Sequence, residues 1–109
     1  MALRYGRSAV SLARTLQNPR FLVEGLFYGA ISEAFFGNPN LALELADEAF
    51  DLASTRHEPR HMYKSGWARG CALAALGQTQ EAIAVLQQAY RIAVEVGARL
   101  HENRIRFRG

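Results

Sequence analysis

The sequence predicts an all-α protein, an αα-hairpin solenoid of about six helices, and three observations carry that prediction. First, sliding the 109-residue chain against itself by forty positions superposes Pro19 on Pro59, Arg20 on Arg60, Gly37 on Gly77, Ala42 on Ala82, Ala49 on Ala89 and Ala53 on Ala93. Conservative pairs fill the gaps (Leu43 with Ile83, Leu45 with Val85, Phe50 with Tyr90, Leu52 with Ile92), and Ala9 with Ala49 and Ala13 with Ala53 carry the register upstream. A fixed period in this range marks a stacked repeat architecture. Second, prolines and glycines punctuate each period where helices begin and end. Third, alanines and other apolar residues recur at the i, i+3, i+4, i+7 spacing of one buried helical face.

The elements follow in order. The first helix covers 2–17, with Leu3, Ala9, Val10, Leu12, Ala13 and Leu16 as its apolar positions. Asn18-Pro19 opens the second, 19–36, because asparagine caps the free N–H groups of a first turn and proline lacks an N–H that would have had no partner there. Gly37 closes it, accepting the left-handed conformation common at a helix C-terminus. Asn38-Pro39 starts the third helix, 39–55, and Pro59 the fourth, 59–76, which Gly77 closes as Gly37 closes the second. Thr79 opens the fifth, 79–96, and a sixth begins over 98–107. Labelled by their place in the repeat, the helices read B, A-B, A-B, A, all within a single domain spanning 1–109.

The B helices carry matched stripes, Ala42, Leu45, Ala46, Ala49, Phe50, Ala53 and Ala82, Val85, Leu86, Ala89, Tyr90, Ala93. The A helices answer with small residues four apart, Ala30 and Ala34 in one copy and Gly66, Gly70 and Ala74 in the other. A glycine inside a helix costs about 1 kcal/mol relative to alanine, so close helix contact is the expected compensation.

On these residues the chain resembles the tetratricopeptide repeat family, particularly its 40-residue variety in bacterial regulatory proteins. The small residue of helix A (Ala30, Gly70), the turn glycine (Gly37, Gly77), the Glu81-Ala82 pair opening helix B and the alanine seven residues on (Ala49, Ala89) carry the likeness over nearly the whole chain. Arg69 stands where the family prefers leucine, Glu33 where it prefers a large aromatic, and Trp67 one residue later than the usual tryptophan. A HEAT-like or other αα-solenoid fits the glycine turn and the Glu-Ala pair less well. The resemblance implies a right-handed superhelix and a concave groove lined by A helices. Taken register by register, it directs Glu24, Phe27, Ile31, Lys64, Trp67, Cys71, Arg104 and Phe107 towards that groove, where Phe27, Trp67 and Phe107 would form an aromatic ladder for a peptide or partner helix. The competing and slightly favoured reading is that these three aromatics are inter-repeat core.

Composition narrows the function further. Half the residues are apolar, yet no apolar run reaches the roughly 18–20 residues of a membrane span. The N-terminus lacks the basic-then-apolar layout of a secretion signal, so a cytoplasmic location is expected. The net charge of +3 from 13 basic and 10 acidic side chains is too mild and dispersed to mark a nucleic-acid binder. The alternative function, a nucleic-acid-binding repeat, rests on the one concentration of arginines, Arg99, Arg104, Arg106 and Arg108. Cys71 is the only cysteine and reads as a packing thiol.

No phosphate loop, nucleophile elbow or CxxC pair is present, so no enzyme activity and no cofactor is expected. His57 and His61 are four apart, but Pro59 between them puts His57 ahead of the helix and no third ligand stands at suitable spacing beyond the distant His101, so no metal is expected. Glu44, Asp47, Glu48 and Asp51 read as a solvated outer face, complementary to Arg4 and Arg7 forty positions upstream of Glu44 and Asp47. The expected function is a protein-protein interaction scaffold, a segment of a larger bacterial regulator. The apolar first and last helices leave a longer array or a homodimer as the ways of covering the ends.

Overall fold

In the computed structural model the backbone is described over residues 2–108 and the side chains over residues 2–99. Five helices follow one another: α1 (Ala2–Leu16), α2 (Pro19–Phe36), α3 (Pro39–Thr55), α4 (Pro59–Ala75) and α5 (Thr79–Arg108). Among the described residues there is no strand, and no helix is long and apolar enough to cross a membrane.

The helix starts obey local chemistry. The Asn18 side chain accepts from the Arg20 and Phe21 N–H groups at 3.0 and 3.3 Å, and Asn38 accepts from Asn40 and Leu41 at 2.9 and 3.4 Å. Proline occupies the first turn of α2, α3 and α4. The turns before α2 and α4 share a feature absent from the sequence reading: Gln17 and His57, forty residues apart, both hold positive φ, 52° and 53°. Non-glycine residues pay about 1–2 kcal/mol for that conformation, so the surrounding helix packing must hold it in place.

Two expectations fail here. Gly77 is left-handed, with φ 81°, but Gly37 is not, with φ −137°. At Gly37 a Cβ would crowd the ends of two side chains, the Glu33 carboxylate and, at 2.8 Å, Leu3 Cδ1. The expected sixth helix, 98–107, is also absent as a separate element, because α5 runs unbroken through Gly97. A glycine permits a helix stop without enforcing one; no proline follows, and Ala98, Arg99 and Leu100 all favour continuing the helix.

Each helix packs against its predecessor, and α2 also packs against α4; α1 with α3, and α3 with α5, make no close backbone approach. The hairpins are antiparallel, since Val10 of α1 meets Gly29 of α2 and Ala89 of α5 meets Gly66 of α4. The core joins Val23, Leu26 and Ala30 of α2 to Leu45, Ala46 and Ala49 of α3 and Ala68 of α4. Each fully buried Val or Leu contributes about 1.5–3 kcal/mol, while the alanines let the backbones approach. The alanine stripe of α3 is buried throughout, but Ala74, expected in the α4 contact, is exposed. The radius of gyration is 14.9 Å, larger than the roughly 13 Å of a compact chain of this length, and the 30-residue α5 contributes to that extent.

The charge pairing also differs from expectation. Arg7 reaches Glu33 of α2 at 3.0 Å instead of Glu44 or Asp47, Asp47 pairs with Arg69 of α4 at 2.8 Å, and α1 meets α3 through Arg14 and Glu48 at 2.9 Å. Successive B helices are separated by the A helix between them, so most of their charges find the A helix first. The acidic face of α3 is therefore solvated at Glu44 and Asp51 and paired at Asp47 and Glu48.

Candidate functional site

Helices α2 and α4 run side by side in parallel, forty residues out of step, so equivalent residues stand opposite one another. On α2 the i, i+3, i+7 spacing sets Glu24, Phe27 and Ile31 on one stripe; on α4 it does the same for Lys64, Trp67 and Cys71. The two aromatics meet, with ring centroids 6.2 Å apart and planes tilted by 42°. Phe27 also takes Tyr28 edge-on at 5.2 Å and leans on the core, whereas Trp67 stays 43% exposed. Core packing therefore accounts for Phe27, and the core expectation fails for Trp67. The large ring exceeds the space between two closely packed helices and rests on Phe27 at the surface.

One end of this face is charged. Lys64 Nζ lies 3.7 Å from Glu24 Oε1 and 6.0 Å from the centroid of the Phe27 ring, near the outer limit of a cation–π contact. Each ring nitrogen of His61 meets a carboxylate: Nε2 is 2.9 Å from Glu24 Oε1 and Nδ1 contacts Glu58. An imidazolium, with a proton on both nitrogens, satisfies both contacts. The Arg56 guanidinium, 2.8 Å away, and then His61 hold the Glu58 carboxyl below the usual carboxylate range. Glu58 therefore gives no side-chain cap to α4. Beside this cluster an open cleft of about 800 Å³ separates the N-terminal ends of α2 and α4, with Arg20, Arg60 and His57 on its wall.

The other end is apolar and chemically quiet. Cys71 is half-buried and burial pushes its thiol up, which keeps it protonated and a poor nucleophile at neutral pH. Among the described residues no group of three or more His, Cys, Asp or Glu is placed to hold a metal; His57 precedes α4, as Pro59 implied.

Of the eight expected site residues, Glu24, Phe27, Lys64 and Trp67 are linked by contact, Ile31 packs against the core, and Cys71 is half-buried on the stripe of Lys64 and Trp67. The side chains of Arg104 and Phe107 lie outside the described residues, and their backbone belongs to α5 instead of a third A helix. Sequence reasoning missed His61 as the link between Glu24 and Glu58. It also missed Glu33, which is 1% exposed and accepts from Arg7 and from the Asn38 N–H at 3.1 Å. Arg7 and then the Asn38 N–H hold its carboxyl low against the opposing effect of burial. A glutamate on the buried side of an apolar helix was the available signal. Comparisons of the chain with protein-family models, with characterised proteins and with solved structures give no match.

Proposed function

We propose that this chain is a non-catalytic protein-protein interaction scaffold of the tetratricopeptide kind, its hairpins stacked as a right-handed solenoid, acting in the cytoplasm as a segment of a larger bacterial regulator. A peptide or partner helix lies along the α2–α4 face. The observation that carries this reading is the Phe27–Trp67 contact, which supports an exposed indole on a core-anchored ring. An aromatic held in this way loses little rotamer freedom on binding, and such anchors contribute about 2 kcal/mol or more at interface centres. The Glu24–Lys64–His61 cluster at one end supplies direction, since a bound segment meets charge there and apolar surface at Ile31 and Cys71. The approach of A helix α2 to A helix α4, and the Arg14–Glu48 pair between B helices α1 and α3, support the stacked-hairpin reading.

The test is selection of peptides from a random display library on the folded chain. Selected peptides should lose about ten-fold or more in affinity on Trp67→Ala, respond to Lys64→Glu, and be indifferent to Tyr90→Ala on α5. Binding that ignores both Trp67 and Lys64 removes the proposal.

A further inference from the structure

The cleft at the N-terminal ends of α2 and α4 carries unbalanced charge. Both carboxylates on its wall are already engaged: Glu58 by Arg56 at 2.8 Å and by His61, and Glu24 by His61 at 2.9 Å and by Lys64 at 3.7 Å. Arg20 and Arg60 line the same cleft. They are equivalent residues of parallel helices and both are exposed. Neither has a carboxylate partner among the described residues, whereas Arg7, Arg14, Arg56 and Arg69 each hold one. No acidic residue stands in the first turn of either helix to offset them, and His57 adds a further basic group to the wall. The cations Arg20, Arg56, Arg60 and Lys64 thus stand against only Glu24 and Glu58. Further along, the face loses its charge, since Trp67 follows Arg60 by two helical turns and Ile31 and Cys71 lie beyond.

We infer that this cleft receives acidic side chains, aspartates or glutamates at one end of the segment that lies along the α2–α4 face. The inference rests on the reading of that face as a partner site and names the chemistry of the partner. Guanidinium groups from two helices suit carboxylates, each of which accepts a planar pair of N–H bonds from an arginine. The carboxylates come from the partner because Glu24 and Glu58 are held by other cations. The spacing follows from the helix. Arg60 and Trp67 are about 10 Å apart along α4 at about 1.5 Å per residue, a distance that an extended segment covers in about three residues. The partner therefore carries its carboxylates about three positions from the apolar side chain that meets Trp67. A nucleic-acid strand fits less well, because its phosphates repeat along its whole length, whereas the cations of this face gather at one end with Glu24 and Glu58 among them.

The probes are two short synthetic peptides, one with glutamates at one end and leucines about three residues further on, the other with glutamine in place of every glutamate. Each is also made with its two blocks in reverse order, to suit either chain direction. Binding to the full chain is followed by the anisotropy of an uncharged dye on the peptide. The glutamate peptide should bind about ten-fold more tightly than the glutamine peptide at low salt, and the difference should shrink as salt rises. Arg20→Gln and Arg60→Gln should each weaken the glutamate peptide about two- to five-fold, and the double variant should remove the preference for glutamate. The helical circular dichroism should be retained, because both arginines are exposed. Trp67→Ala should weaken both peptides alike, which separates the two readings. Binding that depends on Trp67 but does not distinguish glutamate from glutamine overturns the inference and leaves the α2–α4 face as a partner site. A preference for glutamate that survives the double substitution also overturns it, as does absence of saturable binding by the glutamate peptide at millimolar concentration. So does an oligothymidylate that displaces the glutamate peptide and itself requires Arg20 and Arg60, which would assign the cleft to single-stranded nucleic acid.

Discussion

The two repeats, α2–α3 and α4–α5, share their period and their alanines but not their surroundings. In the first, Ala46, Ala49 and Ala53 lie fully buried under α4 and Phe50 is half-covered. In the second, Ala89 is buried but Leu86 and Ala93 are only partly so, and Tyr90 projects into solvent. Equivalent sequence thus produces unequal burial, because a B helix completes its contacts only when an A helix lies on both sides of it. Burial here is a property of the stack and not of the single hairpin.

Exchange of residues between the repeats breaks this asymmetry most directly. Ala46→Leu, which installs the residue of the second repeat in the first, forces a larger side chain beneath α4 and should destabilise by about 1–3 kcal/mol in chemical denaturation. Leu86→Ala, the reverse exchange, should cost less because Leu86 is only half-buried. Equal losses at the two sites would show that the repeats are equally packed.

The A-to-B turns differ too, and a titration sharpens the contrast. In the first repeat Glu33 ties Arg7 to the start of α3; at the equivalent position the second has the buried Leu73. Because the Glu33 carboxyl is held below its ordinary value of 4.5, its contribution is fully present above that value and is lost as pH falls through the lowered one. Glu33→Gln should cost about 1–2 kcal/mol at neutral pH and flatten the acid limb of the stability profile. An unchanged acid limb would show that Glu33 is not the group responsible.

The smallest effect separates two glycines. Gly77→Ala imposes a side chain on a left-handed residue and should cost about 1 kcal/mol, whereas Gly97→Ala, inside the continuous α5, should stabilise by about 0.5–1 kcal/mol. A loss at Gly97 measured by thermal melting would mean that the chain turns there.

Much of the helical framework was legible residue by residue. Asn18 and Asn38 cap the helices they were expected to cap, and Pro19, Pro39 and Pro59 stand in first turns, because capping depends on a few adjacent groups. Gly97 shows where local reading fails, since a single residue that tolerates a turn leaves the outcome to its neighbours. The candidate face was legible in its stripes, Glu24-Phe27-Ile31 and Lys64-Trp67-Cys71, because spacing assigns residues to one side of a helix. That His61 would bridge Glu24 and Glu58, and that Arg7 would choose Glu33, was not legible. Those pairings depend on which helix intervenes between two charges, and several partners are compatible with the same spacing.

The amino-acid order alone determined the five described helix starts, the forty-residue register and the sides on which small and aromatic residues gather, all of which follow from periodicity and short-range hydrogen bonding. Tertiary packing alone decided that α2 rather than α3 neutralises Arg7, that Trp67 rides on Phe27 at the surface, and that Tyr90 is exposed where Phe50 is half-covered. The reason is that burial and ion pairing depend on distances between helices, which no single helix encodes.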